Sequence, residues 1–264
     1  MPAPDALAGA APASPRSDRW LLACAITLLV ALSWAYLLYE AWAMRHMAVG
    51  DMAMPDANPW TAADLTLVFV MWAIMMLAMM LLSATPLLLI YRRTLAASSA
   101  NGRAAALTLV LAAGYLFAWT VFSAAATLAQ WALHSLALMS PMMTLTAPIG
   151  GGVLLVVAGL YQWTPLKHAC LSRCRSPFLF LLTHWRDGAA GAFRMGLRHG
   201  LYCTGCCWLL MGILFVVGVM NLFWVAAITA FVLAEKTLPK GEWLSHASGF
   251  GLILWGSWLL TRTA

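Results

Sequence analysis

The chain has 264 residues, of which 63% are hydrophobic and only 9% charged. Soluble domains carry roughly 25% charged residues, so a water-facing globular fold is excluded and an all-α, polytopic transmembrane helical bundle is expected. The net charge of +6 comes with no basic–aromatic patch and no phosphate loop, which removes nucleic acid and nucleotides from the expected partners and leaves the lipid bilayer.

The Ala/Pro/Ser-rich residues 1–19 read as a disordered cytoplasmic tail. Residues 20–262 read as a single transmembrane domain. The first apolar run is Trp20 to Tyr39, about one span long, with a small-residue sequence at Ala41-Trp42-Ala43 that resembles a cleavage site. The second is Leu65 to Ile90 and the third lies within Ala104 to Leu133. The fourth spans Ile149 to Pro165 and the fifth Leu201 to Met220. A short sixth covers Leu222 to Leu238, and the seventh Trp243 to Leu260. The count is about seven, or six if the sixth is re-entrant or the first is cleaved. Thr183 to Gly200, with Arg186, Arg194 and Arg198, reads as an interfacial stretch before the fifth span. Gly196 and Gly200 have the spacing that allows close helix contact.

Lys and Arg gather on the cytoplasmic side of a membrane. With the N-terminus inside, 13 of the 15 basic residues fall on the inner side, and only Arg45 and Arg262 fall outside. This predicts a multi-pass protein of the bacterial inner membrane with a cytoplasmic N-terminus. Lys167 counts among the inner loop charges. Glu235-Lys236 reads as a topology-setting pair at the inner interface, and no Asp, Glu, Lys or Arg is placed deep within the well-defined spans. No activated nucleophile or acid–base pair is visible, so the protein is not expected to be an enzyme.

Sulfur carries the chemistry. The 16 methionines are unevenly spread. Met44, His46, Met47, Met52 and Met54 crowd the first outer loop, where thioether and imidazole suit a soft ion such as Cu(I). His134, Met139, Met142 and Met143 make a sparser outer group. In the second span, Met71, Met75 and Met79 recur at i, i+4 and i+8 on one helical stripe, with Met76 and Met80 beside it. This pattern fits both a relay of weak sulfur sites and plain packing by an adaptable side chain. On the inner side Cys170 and Cys174 form CxxxC, and Cys203, Cys206 and Cys207 form CxxCC, with His168, His184 and His199 on the same side. Four thiolates with imidazole nearby suit Cu(I), with Zn(II) as the alternative. A thiol-redox role would need the opposite orientation. Cys24, alone in the first span, reads as packing.

The strings MWAIMMLAMM, YQWTPLKHACLSRCRSP and GLYCTGCCWLLMG, followed by GVMN and Glu235-Lys236, resemble a bacterial family of predicted metal-binding integral membrane proteins, a domain of unknown function. The resemblance covers roughly residues 66–236 and implies a helical membrane protein that binds a metal. The expected function is the handling of a soft metal, most simply Cu(I), for transport, delivery or cuproenzyme assembly, with a membrane or periplasmic metalloprotein as partner. The competing expectation is a metal-free scaffold or assembly protein.

Overall fold

Residues 15–46, 60–97, 103–139 and 144–262 are described by the computed structural model. Among them the chain is helical almost throughout, with one isolated bridge between Met139 and Leu145. The order is α1 (Pro15–His46), α2 (Ala62–Ala96), α3 (Ala104–Ser135), α4 (Pro148–Tyr161), α5 (Pro165–Arg175), α6 (Pro177–His184), α7 (Gly188–Gly212), α8 (Leu214–Val217), α9 (Leu222–Thr237) and α10 (Gly241–Thr261).

The helix starts follow local chemistry. Thr61 caps α2 in a reciprocal box, its side chain accepting from the Asp64 N–H while the Asp64 carboxylate accepts from the Thr61 N–H. Prolines open α4, α5 and α6, where the missing N–H costs nothing. α4 and α5 meet at a break over Gln162–Thr164 and bend by 64°. Pro165 restricts Thr164 to extended backbone, and the Thr164 side chain then caps α5.

Four helices or helix stretches are long and apolar enough to cross a membrane: Leu22–Ala43, Ala62–Ala96, Ala104–Ser135 and Gly188–Val217. The bent α4–α5 pair makes a fifth if it is one span. The second and third expected spans coincide with α2 and α3. The fourth is the bent pair rather than one straight helix. The expected interfacial stretch before the fifth span is corrected in part: Arg194 and Arg198 lie within the continuous α7, whose helix begins at Gly188. α1 leaves Leu28, Leu32 and Leu38 exposed.

Packing runs α1 to α2, α2 to α3, α3 to α7 and α5 to α7, with α4 against α10. The α3–α7 contact is backbone against backbone. A Cβ at Gly196 would overlap the Leu111 carbonyl, and one at Gly200 would come within 2.8 Å of Ala118 Cβ. Gly114 accommodates Phe193 from the opposite side. These glycines let two helices approach more closely than larger residues allow. Gly196→Leu is therefore expected to separate α3 from α7, lowering the thermal unfolding temperature of the detergent-purified protein by the equivalent of about 3 kcal/mol or more. Retained wild-type stability would contradict the close contact.

Candidate functional site

α7 is the spine of the site. Cys203, Cys206 and Cys207 lie three and four residues apart, so the helix turns all three sulfurs inward, and each residue is only 1% exposed. The Cys206 and Cys207 thiols each donate to the Cys203 carbonyl at 3.0 Å. α5 packs against this helix and contributes Cys174, buried in the same core as Cys203 and Cys206. Cys170 is half-buried. Its Sγ lies over Gly205, where a Cβ would stand 2.9 Å away. The Tyr161 hydroxyl donates to the Gly205 carbonyl at 2.5 Å and joins the end of α4 to the same turn.

Cys203 has the richest surroundings. Lys236 Nζ donates to its sulfur at 2.9 Å and to Ser83 Oγ at 3.2 Å. The Tyr115 hydroxyl stands 3.0 Å from the same sulfur and donates to the Met80 carbonyl at 2.9 Å. α2, α3, α7 and α9 thus converge on one thiol. The Lys236 ammonium gives this buried sulfur a cationic donor, a partner suited to a metal-bound sulfur.

The methionine stripe leads to this point. Met71, Met75, Met76, Met79 and Met80 are all buried, and they belong to the same contiguous core as Cys174, Cys203, Cys206 and Cys207. The stripe therefore faces the protein interior. Nine helical steps carry it about 14 Å from Met71 to Met80. Met211, fully buried one turn beyond Cys207, extends the sulfur lining on α7.

The structure separates some residues that the sequence groups together. His168 stacks on His246 at 5.1 Å between ring centroids, which places it on the α10 side. His184 lies against Phe180. His199 is buried beside Tyr115 and Phe180, and its Nδ1 has no hydrogen-bond partner. His46, exposed at the end of α1, bonds the Trp42 carbonyl, and His134 packs on Trp60. Met47, Met52 and Met54 lie outside the described residues, as do Met142 and Met143; the side chain of Met44 is likewise outside the description. Cys24 is exposed on α1, away from the cluster. Among the described residues, no three His, Cys, Asp or Glu side chains are arranged as a ready metal cage. The thiols are close but not preformed into a closed polyhedron, and the thioethers beside them are additional donors.

The charged residues need correction. Lys167 is fully buried and does not lie in an aqueous loop. Its ammonium pairs with Glu235 at 2.7 Å and also donates to Gln162 Oε1. Ser245 donates to the same Glu235 oxygen at 2.6 Å. Glu235 and Lys236 are therefore not a simple interfacial pair: α9 is held between α5 and α10, so one faces the ion pair and the other the thiols. Tyr115, Ser83, Met211 and Lys236 were missed as site residues. A lone tyrosine within an apolar span and a lysine inside so charge-poor a chain were the available signals.

No curated protein and no solved structure matches the chain significantly. The family model PpoB2, described as a copper chaperone, matches residues 69–259. That range holds the methionine stripe, both cysteine groups and Lys236, and it covers well over half the sequence. The chain belongs to the PpoB2 copper chaperone family.

Proposed function

We propose that the protein carries Cu(I) through the bilayer between a methionine-rich end and a thiol-rich end, for delivery to a membrane or periplasmic cuproprotein. The observation that carries this reading is the single buried core in which five α2 methionines adjoin four cysteines. Soft sulfur ligands select Cu(I) over hard cations. A graded path from thioether to thiolate lets an ion be passed along without release into hydrocarbon. In this reading Met44, His46, Met47, Met52 and Met54 form the entry or exit loop. Met71, Met75 and Met79, with Met76 and Met80, form the transit stripe, and Cys174, Cys203, Cys206 and Cys207 the holding site. Cys170 flanks the thiol end, while His168, stacked on His246, stands apart from it. The protein acts by binding and transfer, without catalysis. Its setting is the bacterial inner membrane, with a cytoplasmic N-terminus and about seven crossings, α9 and α10 completing the count.

Lys236 can balance the charge of a thiolate-bound Cu(I). Cu(I) held by a pair of thiolates carries a net negative charge. In a medium where an uncompensated charge is costly, the Lys236 ammonium beside Cys203 offsets it. Lys236→Met is therefore expected to weaken Cu(I) binding by about 10–100-fold, the usual effect of losing a group that supports a metal ligand. Competition against a colorimetric Cu(I) chelator would measure this. Unchanged affinity would remove Lys236 from the site.

The direct test is elemental analysis of full-length protein, purified without chelators and then loaded anaerobically with Cu(I). Stoichiometric copper that survives desalting supports the proposal. Protein that retains no copper, or retains Zn(II) in preference, overturns it.

A further inference from the structure

A second polar feature lies away from the sulfurs. The link between α6 and α7 and the first turns of α7 enclose a cavity of about 330 Å³ lined by Thr183, His184, Arg186, Arg194 and Arg198. Arg194 and Arg198 are one helical turn apart on α7 and so share a face. Arg186 approaches from the linker. Among the described residues none of the three forms an ion pair. The adjacent acid, Asp187, accepts from Trp185 Nε1 at 2.9 Å and does not line this cavity. Arg198 reaches only the neutral Tyr202 hydroxyl, at 3.3 Å. Three guanidinium groups therefore share one concavity without a carboxylate, an arrangement that repels itself until an anion enters.

The surroundings identify the anion. Trp185 and Arg186 also border a second cavity of about 640 Å³, walled by Leu95, Leu107 and Val110, with Arg103 and Asp187 among its lining. α6 leaves Phe178, Leu179 and Leu182 exposed. A polar, cationic cavity next to a larger, mostly apolar one, with an indole between them, matches a molecule with an anionic head and hydrocarbon tails. The preference of basic residues for one membrane side explains why arginines occur at this end. It does not require three of them to converge on a hollow, since each would satisfy that preference alone in water.

We propose that Arg186, Arg194 and Arg198 bind the headgroup phosphate of an anionic phospholipid, with its acyl chains against the apolar cavity and α6. Guanidinium forks match phosphate oxygens bidentately, and basic pockets between spans are suited to such headgroups. The site is independent of copper.

The test uses the full chain, delipidated in neutral detergent, with thermal unfolding and native mass spectrometry as readouts. Phosphatidylglycerol is expected to raise the unfolding temperature by several degrees and to remain bound. Phosphatidylcholine with the same chains, and inorganic phosphate, are expected to do neither. Arg194→Gln/Arg198→Gln is expected to abolish the phosphatidylglycerol effect while leaving copper content unchanged, and Arg186→Gln alone to reduce it. An equal response to phosphatidylcholine would overturn the headgroup assignment. An equal response to inorganic phosphate would show a free-anion site instead. A full phosphatidylglycerol effect in the variants would remove the arginines from it.

Discussion

Copper retained by the full-length protein is expected to fall to background when Cys203 and Cys206 are both replaced by Ser. These thiols occupy the centre of the buried cluster: Cys203 faces Lys236 and Tyr115, and Cys206 neighbours Cys174. Serine nearly preserves volume, and a hydroxyl at position 206 can still donate to the carbonyl of residue 203, so the helix is not asked to repack. What is lost is the soft donor: an alcohol neither ionises near neutral pH nor matches the softness of Cu(I). The loss is expected to exceed that from Lys236→Met, because ligands are removed and not merely their support. Cys24→Ser is the control, since Cys24 is exposed on α1, and it should change nothing. Far-ultraviolet circular dichroism and elution volume report whether the double variant is folded. A folded variant that still holds wild-type copper would end the assignment of the holding site to these thiols.

The sulfur framework was legible in the sequence because helical periodicity fixes which side chains share a face. The i, i+4, i+8 spacing of Met71, Met75 and Met79 requires a common stripe once α2 is a helix, and burial then follows from α2 packing between α1 and α3. A close helix contact at Gly196 and Gly200 was permitted by their spacing for the same reason, but α3 as the partner came only with the structure. Two things could not be read. Histidines were grouped by membrane side alone, yet His168 and His199 lie on different helices facing different neighbours, so one meets His246 and the other Phe180. Charges near span ends were read as loop charges, since hydropathy treats Lys167 like Arg173. Only the bend at Gln162–Thr164, which swings α5 into the bundle, distinguishes a lysine packed against Glu235 from the exposed Arg173.

Lys167→Met is expected to be among the most destabilising single substitutions in the protein. Lys167 and Glu235 are 0% and 1% exposed and 2.7 Å apart. Removing the cation leaves a buried carboxylate with only Ser245 as a partner, because Glu235 Oε2 already has none. Breaking a buried pair in this way costs about 3–5 kcal/mol, read as a large drop in the thermal unfolding temperature. Replacing both members, Lys167→Met with Glu235→Leu, removes the orphaned charge and is expected to recover most of that loss, since a well-packed apolar pair is often as stable as the ions. Recovery would identify the single-variant defect as electrostatic. An equal defect in the double variant would instead mean that the pair fixes a geometry no apolar substitute reproduces. That geometry matters for copper, because the pair ties the α5 turn bearing Cys170 and Cys174 to the α9 turn bearing Lys236. Arg175 makes a second tie at the far end of α5, donating to the Leu238 and Pro239 carbonyls at 2.6 and 2.8 Å. With Arg175 still in place, the stabilised double variant is expected to keep its copper. Loss of copper from a protein of restored stability would show that Lys167 and Glu235 set the thiol positions themselves.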